Sequence, residues 1–149
     1  MKHSSFYPVF FILLLITIGC KNQPKKINLA SAEQIQNGDL KLLVGTFAEG
    51  EDQGIYQLDF NIETGELTNR QHVGKEDKPG YLYLTKDGEM VYSSNGTKPG
   101  SVSAFQWNKD KTALNRVSNL PSIGDGACYI ELGPNENLLA AANYASGGI

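Results

Sequence analysis

Cysteine is almost missing from this chain. Only Cys20 and Cys128 occur among 149 residues, so one intrachain disulfide is the most it could form. A basic excess is missing too: 13 Lys and Arg stand against 16 Asp and Glu, for a net charge of −3. Nucleic-acid binding needs a basic footprint, and this balance argues against it. No apolar run reaches the roughly twenty residues of a membrane-spanning helix. The longest, Val9–Ile18, is about half that. After Leu40 no stretch sustains the 3.6-residue apolar period of an amphipathic helix. There is no glycine-rich phosphate loop and no His/Cys set at metal-ligand spacing, so neither a cofactor nor a metal is expected.

What the N-terminus does have is an export signal. Lys2 supplies a basic start and Val9–Ile18 an apolar core of signal-peptide length. The ending Ile16-Thr17-Ile18-Gly19-Cys20 resembles the bacterial lipobox, in which the cysteine is lipidated and becomes the new N-terminus. Residues 1–19 are therefore expected to be a lipoprotein signal peptide, with Cys20 the lipidation site. The mature chain would keep 12 basic and 16 acidic residues, net −4. Residues 20–39 are polar and read as a flexible tether, with a short helix around Ser31–Gln36 as the one local element. The folded part is expected over residues 40–149. With Cys20 lipidated, Cys128 has no partner, and its place in an apolar run predicts a small buried hydrophobe.

The folded part repeats itself. Tyr81, Leu82, Leu84, Val91 and Asn95 recur 48 residues later as Tyr129, Ile130, Leu132, Leu139 and Asn143. Ile55, Leu58, Phe60, Asn61 and Leu67 recur 47 residues later as Val102, Phe105, Trp107, Asn108 and Leu114. Each unit reads as four strands. In the best-defined copy these are Tyr81–Thr85, Glu89–Ser94, Val102–Trp107 and Ala113–Leu120, separated by turns such as Lys86-Asp87-Gly88. The alternation Tyr56/Leu58/Phe60 and Ser103/Phe105/Trp107 is the period-2 mark of strands with one strongly apolar face. Four strands per 47–48 residues is the size of a propeller blade. Small residues recur in the second strand of each unit, as Gly45-Thr46, Ser93-Ser94 and Ala140-Ala141-Ala142. They suggest a strand crowded near a central axis, which a β-sandwich would not require.

The ordered segments VGTFAEGEDQGIYQLDFNIETGEL, PGYLYLTKDGEMVYSSNG, GSVSAFQW and GACYIELGPNENLLAAANYASGGI resemble the seven-bladed propeller lactonases. This is the 6-phosphogluconolactonase-like group that also contains carboxymuconate-cyclising enzymes. The sequence departs from the usual pattern at Ala127, where the family has Pro, and at Tyr129, where many members have His. The resemblance implies an all-β, seven-bladed β-propeller of roughly 340 residues. This chain would hold two blades and the start of a third. It also implies a lactone hydrolase acting on a sugar lactone, monomeric when complete, whose catalytic His, Glu and Arg would lie beyond Ile149. Tyr129, Asn143 and Tyr144 are then candidates for the pocket wall. The alternatives are a non-catalytic envelope propeller that binds a glycan or a protein, and a cycloisomerase-type member of the same family.

Other polar groups read more plainly. Glu49, Glu51 and Asp52 suit a solvated hairpin loop. Asp59–Glu66 lacks the glycine and glutamate positions of a calcium loop and suits a turn. His72 stands alone in a polar strand, and Asn95-Gly96-Thr97 is a glycosylation sequon out of place behind a bacterial signal. The export signal places the protein in a bacterial cell envelope, anchored by lipid in a membrane. Intact-mass measurement on the membrane-extracted protein should give a chain that begins at a lipid-modified Cys20, and Cys20→Ser should return it to the unlipidated form. An unmodified chain beginning at Met1 would overturn the assignment.

Overall fold

The computed structural model describes residues 39–149; the expected signal peptide, Cys20, nearly all of the expected tether and the helix expected around Ser31–Gln36 lie outside the described residues. Nine strands follow in order: β1 (Asp39–Gly45), β2 (Ile55–Asn61), β3 (Leu67–Gly74), β4 (Pro79–Leu84), β5 (Met90–Asn95), β6 (Ser101–Trp107), β7 (Leu114–Pro121), β8 (Ala127–Leu132) and β9 (Leu139–Asn143). They form three antiparallel sheets, ordered β1-β2-β3, β4-β5-β6-β7 and β8-β9. The middle sheet is the complete four-stranded unit expected from the repeat. By the 47- and 48-residue offsets, β1–β3 correspond to β5–β7 and β8–β9 to β4–β5.

At the β2–β3, β4–β5 and β6–β7 turns a side chain does backbone work. Asn61 and its repeat partner Asn108 end equivalent strands. The Asn61 Oδ1 accepts from the amides of Glu63 and Thr64 at 3.0 and 2.9 Å. The Asn108 Oδ1 accepts from the amides of Thr112 and Ala113 at 2.8 and 3.1 Å. The first is an Asx turn, and in the second the side chain reaches four and five residues ahead; in both a short polar side chain replaces a backbone acceptor. Between β4 and β5, Thr85 Oγ1 donates to Asp87 Oδ1 at 2.6 Å and accepts from the Met90 amide at 3.0 Å.

The sheets stack face to face, with β1 against β4 and both β4 and β5 against β8. Between the first and second sheets lies the core. Leu43, Ile55 and Val73 from one side meet Leu82, Val91, Phe105, Trp107 and Leu114 from the other. Val91 and Phe105 pair directly across β5 and β6, and both are fully buried. Ile130 and Leu132 of β8 are also buried, on the side of the third sheet that meets β4 and β5. Register decides which face is used, because successive side chains alternate. The Ser103/Phe105/Trp107 set is buried as expected. The equivalent set in β2 uses the same face: Ile55, like its repeat partner Val102, faces the following sheet, and Leu58 and Phe60 lie with Leu40, Leu42 and Val44 on the opposite face, which no sheet among the described residues covers. Tyr56 on that face is covered by His72 edge-on at 5.0 Å and by the Arg70 guanidinium at 4.7 Å.

In the four-stranded sheet the small-residue strand β5 lies second, beside the edge strand β4. Ser93, Ser94 and Gly45 serve the approach of one sheet to the next. A Cβ on Gly45 would lie 2.1 Å from the Pro79 carbonyl oxygen, so β1 and β4 can meet only where that side chain is absent. Cys128 is exposed, not buried. A bulge between Ala127 and Tyr129 breaks the alternation of β8. Ala127 takes the interior position and the thiol turns outward, 3.5 Å from the Ala142 carbonyl oxygen.

Phe105→Ala removes the largest fully buried side chain of the second sheet and should destabilise the protein by about 3–5 kcal/mol. Equilibrium urea unfolding of the full-length protein measures this; a loss below about 1 kcal/mol would mean that the interface collapses around the cavity.

Candidate functional site

The free edge of β4 and that of β8 lie next to each other where the sheets converge, and the groups there are aromatic and acidic. Tyr81 and Tyr129, equivalent by the 48-residue offset, bring their rings to 4.6 Å between centroids, tilted by 56°. This is within the range of favourable offset aromatic pairs. Tyr129 donates its hydroxyl to Glu131 Oε2 at 2.6 Å, a charge-assisted bond along one face of β8. Tyr83, two residues on from Tyr81, faces the same carboxylate, together with Glu136.

These contacts set the acidities. The Tyr129 phenol is pushed up to about 12, first by its hydrogen bond to Glu131, then by desolvation and the negative charge. Desolvation, followed by the charges of Glu131 and Glu136, also raises Tyr83. Both phenols therefore stay protonated throughout the neutral range, and Tyr129 donates to Glu131. Beside them is an open cleft of about 500 Å³ between β4 and the β8–β9 turn, lined by Tyr83, Lys86, Glu131, Pro134 and Leu138 among others. The Lys86 ammonium is held on the Pro134 carbonyl oxygen at 2.6 Å, and its backbone amide donates to Glu136 Oε1 at 3.0 Å.

Of the three pocket-wall candidates, Tyr129 alone joins this cluster. Asn143 is buried, and its side chain is engaged elsewhere. Its Oδ1 accepts from Ser122 Oγ at 2.5 Å, and its Nδ2 donates to the Ser122 carbonyl oxygen at 3.0 Å. Ser122 belongs to the loop that carries the chain from the second sheet to the third. That loop is also bonded through Gly124 to Gly100 and through Gly126 to Thr97 and Tyr144. A Cβ on Gly124 would stand 2.6 Å from the Asn143 amide, which fixes this close passage. Asn143 pins two sheets together. Tyr144 is exposed, with its amide on the Gly126 carbonyl oxygen at 2.9 Å. Sequence reasoning missed Tyr81, Tyr83 and Glu131. The 48-residue offset carried the signal, since it places Tyr81 on Tyr129 and Tyr83 on Glu131.

Gly50–Asp52 is a short 3-10 turn, with Asp52 3.7 Å from Arg70. His72 lies 3.0 Å from the Gln53 carbonyl oxygen. Among the described residues, no three His, Cys, Asp or Glu side chains are grouped to hold a metal ion.

Four-stranded antiparallel units, stacked face to face and converging on their first strands, define a β-propeller. The model of the family described as "Lactonase, 7-bladed beta-propeller" matches residues 41–149. The chain belongs to that family. It is 26% identical over 107 residues to a 6-phosphogluconolactonase of Bacillus subtilis, covering 71% of this chain and 31% of that relative. A solved Bacteroides fragilis structure, provisionally assigned as a 6-phosphogluconolactonase, is 35% identical with a TM-score of 0.59, covering 73% of this chain and 30% of that one. The fold is likewise similar to that of a Pseudomonas aeruginosa periplasmic gluconolactonase, with a TM-score of 0.63 at 24% identity over 70% of this chain and 31% of that one. The chain thus spans about a third of the length of the relatives it matches.

The Tyr129–Glu131 bond has a pH signature. With the phenol raised, its contribution to stability is complete below the ordinary tyrosine value of 10 and is lost as pH climbs toward about 12. Alkaline titration followed by phenolate absorbance should show a late-ionising tyrosine that vanishes in Tyr129→Phe and returns toward 10 in Glu131→Gln. A late-ionising Tyr129 that stays where it was in Glu131→Gln would show that the bond does not form in solution.

Proposed function

We propose that the full protein hydrolyses a sugar lactone. Membership of the lactonase family over residues 41–149 carries this reading, and the 6-phosphogluconolactonase name of the Bacillus subtilis relative supports it. In the reaction, a water oxygen adds to the lactone carbonyl and the ring C–O bond breaks. The alkoxide takes up a proton, and the product hydroxy acid releases one to solvent. Activating the water and stabilising the oxyanion needs a general base and hydrogen-bond donors. In this reading they are a His, a Glu and an Arg outside residues 39–149, and the β4–β8 edge contributes a wall of the pocket. The catalytic cycle needs no cofactor.

The lipobox at Cys20 supports a protein anchored in an envelope membrane. Phosphorylated sugar intermediates belong to the cytoplasm, so an unphosphorylated aldonolactone suits an exported enzyme better than 6-phosphogluconolactone. We further propose that the complete ring is monomeric.

The test is proton release by the full-length protein with gluconolactone and with 6-phosphogluconolactone. Opening of gluconolactone well above the spontaneous rate is the expected outcome. Rates no faster than spontaneous hydrolysis for either lactone, with folded protein, would overturn the enzymatic reading and favour a propeller that only binds.

A further inference from the structure

The cluster at the β4–β8 edge is more specific than a pocket wall. We infer that Tyr81, Tyr129 and Glu131, with the cleft beside Tyr83, form a subsite for the neutral polyhydroxylated ring of an unphosphorylated sugar, and that Glu131 is a specificity-determining residue that turns away phosphorylated ones. This rests on the reading that the protein binds a sugar and adds which residues select it.

Three observations carry the inference. The first is an apolar platform that is not packed away. Tyr81 and Tyr129 are 38% and 43% exposed although their rings touch. Two linked aromatic faces at a sheet edge offer the C–H face of a sugar ring a large contact area at little entropic cost, and the hydroxyls provide polar handles. The second is the state of Glu131. One carboxylate oxygen accepts the Tyr129 hydroxyl, and among the described residues no cation forms an ion pair with the group. An ionised carboxylate only accepts hydrogen bonds, so its remaining lone pairs suit sugar hydroxyl donors. The third is the sign of the local charge. Glu131 and Glu136 both bear on Tyr83. Lys86, the one cation among the described residues that line the cleft, donates to the Pro134 carbonyl oxygen and keeps its charge. A phosphate dianion brought to Glu131 would still meet two carboxylates against one ammonium. The cleft, about 500 Å³, is of a size that holds a small ligand.

The repeat strengthens the case. Position 83 in the second unit is a tyrosine, while its equivalent in the third is Glu131. Neither side chain contributes to the core between the first and second sheets. The carboxylate is therefore a feature of one blade and not a requirement of the fold.

The test uses full-length protein and two stable, non-hydrolysable probes, 1,5-anhydroglucitol and its 6-phosphate, with dissociation constants measured by ligand-observed NMR. The unmodified protein should bind the neutral probe about tenfold more tightly than the phosphate. Glu131→Gln, an isosteric change at an exposed site, should close that gap to about threefold or less. Tyr81→Ala should weaken both probes alike by about three- to tenfold. Equal binding of both probes by the unmodified protein would overturn the inference, as would a preference that Glu131→Gln leaves unchanged. Sugar binding with this charge dependence but no lactone opening would support the subsite while overturning the enzymatic reading. Lactone opening with a preference indifferent to Glu131 would do the reverse.

Discussion

A sheet with two apolar faces must be covered twice, and that requirement organises this protein. Val91 and Phe105 on one face of the second sheet are fully buried only because Ile55 and Val73 close over them from the first. On the other face, Met90 and Tyr92 look toward Leu139 and Ala141 of the third. Each Phe-sized side chain removed from water contributes about 2–3 kcal/mol, and no single sheet could bury them by itself. Stacking neighbours is the one-dimensional solution of repeat proteins, and a ring is the form in which every face finds a neighbour.

Close approach follows from the same demand. Sheets that twist can stay in contact at one edge only if the backbones there come very near. Gly45 beneath the Pro79 carbonyl, and the fully buried Ser93, Ser94 and Ser103, show how little side chain that edge tolerates. Buried hydroxyls and amides would be costly if unpaired. Here they satisfy one another: Ser93 donates to Asn95 at 2.6 Å, and Asn95 donates to Ser101 and Ser103 at 2.9 Å each. Asn119 closes the group on Ser103 at 2.7 Å. The repeat partner of Asn95, Asn143, plays a related part by bonding to the connecting loop at Ser122. An asparagine at the end of the second strand is thus a structural fastener in both units.

The architecture was legible in the sequence because its signals are periodic. The 47- and 48-residue offsets located the four-stranded unit, and the Asn61 and Asn108 turns sit where the offset placed them. What the sequence hid was local. A single bulge in β8 moves Cys128 from the inside to the outside, and no composition rule marks that bulge. Leu58 and Phe60 share the face that Phe105 and Trp107 use in the next unit, yet stay half-buried because no sheet among the described residues covers them. Within the candidate site, Tyr129 was legible as a departure at a recurrent motif. Tyr81 and Glu131 were not, since a tyrosine and a glutamate on alternating strand positions look like ordinary surface until two strand edges from different sheets are set side by side.

The two units can therefore be compared position by position as an internal control. Leu82 matches Ile130 and Val91 matches Leu139, each exchange keeping an aliphatic side chain that faces the neighbouring sheet. Those positions carry the stacking, and a polar group there would lose its water without gaining a partner. Tyr83 and Glu131 differ in size, charge and hydrogen-bonding capacity, yet the strands that hold them pair in the same register, Tyr83 with Tyr92 and Glu131 with Ala140. The scaffold is indifferent to what stands at that position on the free edge. Chemistry can change there from blade to blade at little cost to the fold, and the inner edge of β4 and β8 is where this molecule has done so.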